Sequence, residues 1–139
     1  MKKFLVALAL VTMTHSVAYA AGWKVIVNTA NPTDSLTKKE LASIFMKKTA
    51  KWEHGTPVVP VDQNDKSAAR AGFTTDVHGK SVSAVKSYWQ QQIFSGRDVP
   101  PVEKASDAQA IAFVKANAGA IAYVSDTADA TGTKTLVVK

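Results

Sequence analysis

The amino-acid sequence predicts an α/β fold in one domain, with a mostly parallel or mixed sheet of about four strands and helices on both faces. Two observations lead to this prediction. Short aliphatic runs alternate along the chain with segments that have helical periodicity and capping signals. The chain also has 139 residues, of which 46% are hydrophobic and 20% charged, without an internal repeat or a linker. This length and composition are typical of a single globular domain.

The N-terminal segment has the pattern of a secretory signal peptide. Lys2 and Lys3 precede an apolar run over residues 4–13, and the sequence Ala-Tyr-Ala at 18–20 matches a cleavage site. The apolar run is too short to span a bilayer, which needs ~20 residues. We therefore expect residues 1–20 to be removed and residues 21–139 to form the mature domain in a bacterial periplasm.

Composition excludes several classes of function. The chain contains no cysteine, so disulfide frameworks, iron–sulfur sites and thiol catalysis are excluded. The positive charge is not gathered into a stripe, so no nucleic-acid partner is expected. His54 and His78 stand outside any metal-ligand spacing, and no G-x-S-x-G elbow or paired carboxylates occur. We expect no enzyme activity, no catalytic residues, no metal and no cofactor.

The first half of the chain predicts two strands and two helices. Residues 24–27 form a β-branched run that ends near Asn28, and residues 58–61 form a second run. Thr37 and Glu40 are spaced as a capping box that starts the first helix. The second helix is expected from Ser67 to about residue 77. Pro57 and Pro60 argue against a central position for the second strand, unless its N–H groups are unpaired there.

The second half predicts two more helices and two more strands. Residues 81–94 form an amphipathic helix that Gly96 ends, and an extended segment follows at residues 100–101. Ser106 and Gln109 have the spacing of a second capping box. Residues 121–124 and 136–138 are the third and fourth strands. The apolar stripe of the amphipathic helix, which we expect to face the core, consists of Val82, Val85, Trp89 and Ile93.

Ligands of open α/β sheets bind beyond the carboxyl ends of the strands, often at a helix N-terminus. This directs attention to the loops at 28–35 and 62–67. The second loop enters a helix whose free N–H groups suit a small oxyanion, with Ser67 as a hydroxyl donor. The residues assigned to the candidate oxyanion site are Asn28, Asp65, Lys66, Ser67, Ala68 and Arg70.

An ordinary structural role for the same loop remains open. Asn64 or Asp65 can cap the helix while Lys66 and Arg70 are simply solvated, and caps of this kind are common. Asp62 and Asp65 add negative charge that opposes a bare anion. They can instead accept a proton from a protonated oxyanion.

Three blocks of the sequence resemble the substrate-binding proteins of phosphate ABC transporters. Residues 35–52, S-L-T-K-K-E-L-A-S-I-F-M-K-K-T-A-K-W, resemble a block in one of that family's two lobes. Ser67 is followed six residues later by Phe73, as in the family's Ser-Gly-Thr turn and helix, and G-A-I-A-Y-V at 119–124 is similar to a family strand. Residues 88–97 and the two prolines at 100–101 are similar to short exported relatives.

This resemblance covers residues 24–125 and implies a single periplasmic-binding-protein-like lobe of type 2. It implies a phosphate-like ligand and an ABC permease or another envelope protein as partner.

The sequence departs from the family pattern at the predicted site. The Ser-Gly-Thr turn reads Ser67-Ala68-Ala69 here, and Gln63 stands where the family carries an arginine. One lobe also leaves an anion half-solvated, so the protein binds weakly, forms a homodimer or borrows a second wall. The alternative function is a non-catalytic interaction or sensory lobe that has lost ligand binding.

Overall fold

The computed structural model describes residues 22–139, and the predicted signal peptide lies outside the described residues. The four helices are α1 (Lys38–Phe45), α2 (Ala68–Phe73), α3 (Val82–Phe94) and α4 (Asp107–Ala116). The seven strands are β1 (Trp23–Val27), β2 (Ser35–Leu36), β3 (Val59–Gln63), β4 (Val102–Lys104), β5 (Ala120–Ser125), β6 (Lys134–Thr135) and β7 (Val137–Val138). None of the helices in this range has the length and apolar content that crossing a bilayer requires.

The main sheet is mixed and has five strands in the order β4-β3-β5-β1-β6. β3 runs parallel to both β4 and β5, whereas β1 runs antiparallel to both β5 and β6. β2 and β7 form a separate parallel pair. The prediction of an α/β fold with a mostly parallel or mixed sheet is confirmed.

The sheet separates two hydrophobic clusters. One cluster joins α1 and α2 to the sheet through Phe45, Phe73 and Tyr123, and the rings of Phe73 and Tyr123 stack 4.1 Å apart. The other cluster joins α4 to the sheet through Ile111 and Val114. Successive side chains of a strand point to opposite faces, so β5, which is buried at residues 120–124, contributes to both clusters.

The prolines did not keep β3 at the edge of the sheet. The backbone N–H of Val59 donates to the Gly119 carbonyl next to β5, so the Pro60 nitrogen faces the opposite side. On that side β4 begins only with Val102, opposite Val61. The missing N–H of Pro60 therefore costs no hydrogen bond between strands. The strand is central, and its proline lies where no N–H donor is needed, which is the second of the two possibilities considered from the sequence.

Two segments in the second half of the chain differ from the predicted secondary structure. The extended segment after the two prolines includes β4, which the sequence did not distinguish as a strand. The predicted last strand is divided, because β6 pairs with β1 while β7 pairs with β2. Leu136 lies buried between them, and its N–H still donates to the Val25 carbonyl.

The helix starts were predicted more accurately than the helix faces. The capping box of Thr37 and Glu40 is present in both directions at α1. At α2 the cap is Ser67, whose hydroxyl accepts from Arg70 N, so the suggestion that Asn64 or Asp65 caps this helix was wrong. After α2 the chain continues as a π-helical turn, Thr74–His78, and Gly79 ends it at a φ of 62°. A residue with a Cβ would be strained at this φ.

The apolar stripe of α3 is only partly buried. Val85 and Trp89 are buried, as expected of a core stripe, but Ile93 is 53% exposed and Phe94 is 95% exposed. Neither main hydrophobic cluster includes a residue of α3. The helix therefore buries only Val85 and Trp89 while its last turn is exposed, and the expectation that the whole stripe faces the core was wrong.

Candidate functional site

A shallow hollow lies at the edge of the sheet where β3 and β4 end. Both strands run in the same direction, and each is followed by a loop and a helix, so the N-termini of α2 and α4 meet at this edge. The hollow has a volume of about 380 Å³. Its lining consists of Gln63, Asn64, Lys66, Ser67, Ala105, Ser106, Asp107 and Ser125.

Ser67 stands at the start of α2 and is half-buried. Its Oγ accepts a hydrogen bond from Arg70 N at 3.2 Å and donates one to Gln63 Oε1 at 2.7 Å. The Ser67 hydroxyl therefore caps the helix and also fixes the orientation of a neighbouring amide. The structure places Ser67 in the lining of the hollow, and the hydrogen of its hydroxyl already has an acceptor.

Gln63 is the residue that connects the two helix starts. It is buried, and its Nε2 donates to Asp107 Oδ1 at 2.8 Å and to the Tyr123 carbonyl at 3.0 Å. Sequence reasoning noted Gln63 only as the replacement of an arginine. Its amide can donate and accept at once, so it bonds a hydroxyl on one side and a carboxylate on the other.

Asp107 brings a negative charge to the hollow that the sequence analysis missed. Its Oδ1 also accepts from Ser125 N at 3.2 Å. Burial opposes ionisation of this carboxyl, but the hydrogen bonds from Gln63 and Ser125 outweigh it and hold its pKa below the usual value. An acidic residue directly after the N-cap Ser106 was the available signal, since carboxylates favour the first turn of a helix.

Arg70 lies beneath the hollow and outside its lining. It is only 4% exposed, and Nη1 donates to the Gln63 carbonyl at 2.7 Å and to Glu103 Oε2 at 3.3 Å. Its Nε lies 3.7 Å from Asp62 Oδ1 and has no hydrogen-bond partner among residues 22–139. The Arg70 guanidinium is therefore buried and bonded to groups of the fold itself. The solvated position that was considered for it from the sequence was wrong.

Asp62 and Tyr123 complete the buried polar group around Arg70. The Tyr123 hydroxyl donates to Asp62 Oδ1 and accepts from Gln63 N. Burial raises the pKa of Asp62 above its usual range, although Arg70, Tyr123 and Gln63 all favour the ionised carboxylate. Burial and the adjacent Asp62 carboxyl raise the pKa of Tyr123 as well.

The remaining residues assigned from the sequence fall in different places. Lys66 is exposed and lines the hollow, and Ala68 is exposed at the first position of α2. Asp65 is exposed and bonded to Lys86 of α3 at 2.8 Å. This bond, with the Lys86 charge, holds the pKa of Asp65 below its usual value.

Asn28 lies at the opposite end of the sheet from Ser67. The expectation that both loops follow carboxyl ends at one edge was wrong, because β1 runs antiparallel to β5. The Asn28 side chain donates to the carbonyls of Val114 and Lys115 at 2.9 and 3.1 Å. Asn28 thereby satisfies the last carbonyls of α4, a structural role rather than a place in the hollow.

The two histidines of the described chain stand apart from the hollow. His54 stacks on Trp52 with ring centroids 6.3 Å apart. His78 is half-buried against Phe73, and burial lowers its pKa, helped by Lys80 and Arg70. Across residues 22–139 no three His, Asp or Glu side chains are grouped in a way that could hold a metal ion.

Comparison with protein families gives one match over most of the chain. A family model described as a PBP superfamily domain matches residues 12–138. No match was found among curated protein sequences.

Solved structures show the same fold. An ABC-type phosphate transport receptor from Vibrio cholerae is 19% identical with a TM-score of 0.66, over 85% of this chain and 46% of that one. A structure assigned as a phosphate ABC transporter substrate-binding protein from Clostridium perfringens, with bound phosphate, is 21% identical with a TM-score of 0.66, over 85% and 45%. PstS from Borrelia burgdorferi is 13% identical with a TM-score of 0.61, over 86% and 47%. The chain therefore spans less than half the length of these proteins.

Proposed function

The chain belongs to the PBP superfamily, and on that premise we propose that it is an exported lobe that binds phosphate or a similar small oxyanion. The observation that carries this proposal is the hollow where the N-termini of α2 and α4 meet, with Ser67 in its wall. Two helix starts at one place bring unpaired N–H groups and two partial positive charges together, and this combination favours anions. Similarity to solved phosphate receptors supports the proposal at the level of the fold.

The proposed donors come from the lining of the hollow and from the helix start beside it. The Ser67 hydroxyl and the Lys66 ammonium belong to the lining, and the N–H groups of Ala68 and Ala69 belong to the adjacent first turn of α2. Arg70 contributes indirectly, because its bond to the Gln63 carbonyl fixes the residue that holds Ser67. Asn28 has no part in this site.

Asp107 sets the kind of anion that the hollow accepts. An ionised carboxylate repels a fully deprotonated oxyanion, but it accepts a hydrogen bond from one that still carries a proton. Phosphate carries such a proton at neutral pH and sulfate does not. We therefore expect the site to prefer phosphate to sulfate, with Asp107 as the acceptor.

Membership of the family supports a proposal for the setting of this binding function. A lobe with a solvent-exposed site holds its ligand weakly, because exposed ionic contacts contribute little. We propose that the lobe works in the periplasm beside an ABC permease or another envelope protein, as a binding protein and not as an enzyme.

A second candidate function is an interaction or sensory lobe that no longer binds an anion. The specific observation in its favour is that the hydrogen of the Ser67 hydroxyl is already donated to Gln63. A ligand must displace this bond, and the Asp107 carboxylate already accepts from Gln63 and Ser125. In this reading the polar groups of the hollow satisfy one another and rigidify the edge of the sheet.

A pair of matched serine substitutions separates the two functions. Ser67 and Ser81 are both N-caps whose Oγ accepts from the third residue of a helix, but only Ser67 lines the hollow. Ser67→Ala and Ser81→Ala should each cost about 1 kcal/mol of stability through the lost cap. Phosphate binding should be measured by calorimetry for both variants and for the unsubstituted protein.

The proposed binding lobe predicts that Ser67→Ala weakens phosphate binding at least about tenfold, which corresponds to ~1.4 kcal/mol, while Ser81→Ala binds as the unsubstituted protein does. An Asp107→Asn variant should lose the preference for phosphate over sulfate. Equal phosphate affinity in the two serine variants would contradict the site. Absence of binding in the unsubstituted protein would favour the interaction lobe.

A further inference from the structure

A cavity lies at the opposite end of the sheet from the hollow. It has a volume of about 580 Å³ and is formed by the loop before β2, helix α1 and the turn that precedes β3. Strand β3 leads from Val58 in the cavity to Gln63 in the hollow, a distance of about 16 Å at ~3.3 Å per residue. The two sites share no lining residue, so the cavity has no role in the proposed anion site.

The most deeply buried residues that line the cavity are apolar. Ile44 of α1 and Trp52 are 3% and 5% exposed. Leu36 of β2 and Val58 are half-buried and line the cavity as well. An apolar lining with a few polar groups and a volume of ~300–1,000 Å³ is typical of sites for small organic molecules. The cavity has both properties.

Trp52 is held in place by hydrogen bonds of the fold itself. Its Nε1 donates to the Gly119 carbonyl at 3.0 Å. Its backbone N–H donates to the Thr56 carbonyl at 2.9 Å, and its carbonyl accepts from Gly55 N at 2.8 Å. The His54 ring, which also lines the cavity, stacks on the indole at an interplanar angle of 14°. This aromatic wall is therefore ordered before a ligand enters, which reduces the cost of binding.

Three separate segments bring carboxylates to the same cavity. Asp34 precedes β2, Glu40 belongs to α1 and Glu53 belongs to the turn after Trp52. Asp34 is paired with Lys134 at 2.7 Å, and Glu40 Oε2 accepts from the backbone N–H of its capping box at 2.7 Å. Glu53 is exposed, and no lysine or arginine among residues 22–139 pairs with it. Glu53 is therefore available as a counter-ion.

The charge of the lining selects the kind of ligand. Lys51 also lines the cavity, so three carboxylates stand against one ammonium group there, although the whole chain has a net charge of +6. An acidic cavity in a basic protein attracts cations and repels anions. A bare metal ion does not suit it, because no three carboxylate or imidazole groups among residues 22–139 are grouped to hold one. The apolar residues instead suit a ligand with an organic body.

We propose that this cavity binds a small organic cation, an ammonium group on an apolar or aromatic body, with Glu53 as its counter-ion. The body packs against Ile44 and Trp52, where water is excluded from apolar surface. The ammonium group lies at the rim, where it donates to the Glu53 carboxylate. This function is separate from anion binding and does not depend on it.

The test uses three probes that share a phenyl ring and a short chain but differ in charge. Phenethylammonium, phenethyl alcohol and hydrocinnamate are titrated into the isotope-labelled protein, and the amide and indole N–H signals are followed by NMR. Phenethylammonium should shift the indole signal of Trp52 and bind with a Kd of about 1 mM or lower. It should bind at least about fivefold more tightly than the alcohol, as one exposed ion pair allows, and hydrocinnamate should bind most weakly.

Substitutions of Glu53 identify the counter-ion without disturbing the fold, because this side chain is exposed. Glu53→Gln should weaken binding of phenethylammonium about threefold to fivefold and leave phenethyl alcohol unchanged. Glu53→Lys should reverse the order of the two charged probes. Asp126→Asn is the control that matches the change of charge, since Asp126 is exposed and lies after β5, outside the cavity. It should bind all three probes as the unsubstituted protein does.

Three results would overturn the proposal. One is no binding of phenethylammonium up to about 10 mM, and another is equal binding of the three probes. The third is binding of phenethylammonium that neither substitution of Glu53 alters. Phosphate binding should be unchanged in all of these variants, so failure of the cation site and failure of the anion site give different outcomes.

Discussion

Helices α2 and α3 follow one another along the chain but use their side chains in opposite ways. α2 buries a charged residue, Arg70, at 4% exposure, whereas α3 exposes an apolar one, Phe94, at 95%. α2 packs beneath the sheet edge, where Gln63 and Asp62 surround the guanidinium. α3 lies outside both main hydrophobic clusters and buries only Val85 and Trp89. Whether a side chain of these two helices is buried therefore depends on where the helix lies relative to the sheet, and not on hydrophobicity alone.

The difference also bears on where the proposed anion binds. The polar groups near α2 are bonded to one another, and this fixes the walls of the hollow before any ligand enters. The outer face of α3 instead presents neutral side chains, among them the exposed ring of Phe94. The proposed oxyanion site therefore lies in the region of α2 and not on the outer face of α3.

The largest expected effect comes from breaking the buried ion pair at α2. Arg70→Met removes the guanidinium from Asp62 and from the Gln63 carbonyl and leaves Asp62 buried without its cation. We expect the free energy of unfolding at neutral pH to fall by about 3–5 kcal/mol. Urea denaturation measures this loss. A decrease below about 1 kcal/mol would show that the pair is screened by solvent and that the contrast with α3 is weaker than described.

A pair of substitutions within α3 tests whether its two faces differ as the exposure indicates. Trp89→Ala empties a buried site and should cost about 3 kcal/mol. Phe94→Ala removes an exposed ring and should change the free energy of unfolding of the monomer by less than about 0.5 kcal/mol. Thermal and urea denaturation at a protein concentration where the chain is monomeric give both values. Similar losses for the two variants would mean that the faces of α3 are not distinct.

A smaller effect is the pH dependence that Asp62 confers. The pKa of Asp62 is raised in the folded protein above the usual value of 3.8, so the folded protein holds this proton more tightly than the unfolded chain. Stability from this group is present at low pH and declines as the pH rises from about 3.8 through the raised pKa. Asp62→Asn should remove this decline.

The measurement is the difference in unfolding free energy between the two proteins from pH 3 upward, in ~1-unit steps, where the slope cannot exceed ~1.4 kcal/mol per unit for one group. The carboxyls of Asp65, Asp98, Asp107 and Asp129 have lowered pKa values and act in the opposite direction, but they are common to both proteins. A constant difference across this range would contradict a raised pKa at Asp62.

Local signals in the sequence predicted local structure well. The spacing of Thr37 and Glu40 determines where α1 begins, because both groups of the capping box act within one turn. At α2 the predicted helix start was correct, but the capping group is the Ser67 hydroxyl and not Asn64 or Asp65, the caps that the sequence suggested. Such features need only neighbouring residues, so the sequence alone contains the necessary information.

Features that depend on strand direction and on distant partners could not be read in the same way. Asn28 was grouped with Ser67 because parallel strands were assumed, and the antiparallel course of β1 places the two at opposite ends of the sheet. The role of Gln63 depends on Asp107, forty-four positions away, and on Tyr123, sixty positions away. Arg70 likewise donates to Glu103 of β4. This strand has only three residues and follows two prolines, so the sequence did not predict it.

The most direct test of the central claim is thermal unfolding of the protein with phosphate, with sulfate at the same concentration as the control. A ligand at one hundred times its dissociation constant stabilises the folded state by ~2.7 kcal/mol, which for a domain of this size raises the Tm by roughly 4 to 15 °C. The account predicts an increase with phosphate that is larger than the increase with sulfate. No increase at millimolar phosphate, or the same increase with both anions, would contradict an oxyanion site formed by Ser67 and Asp107.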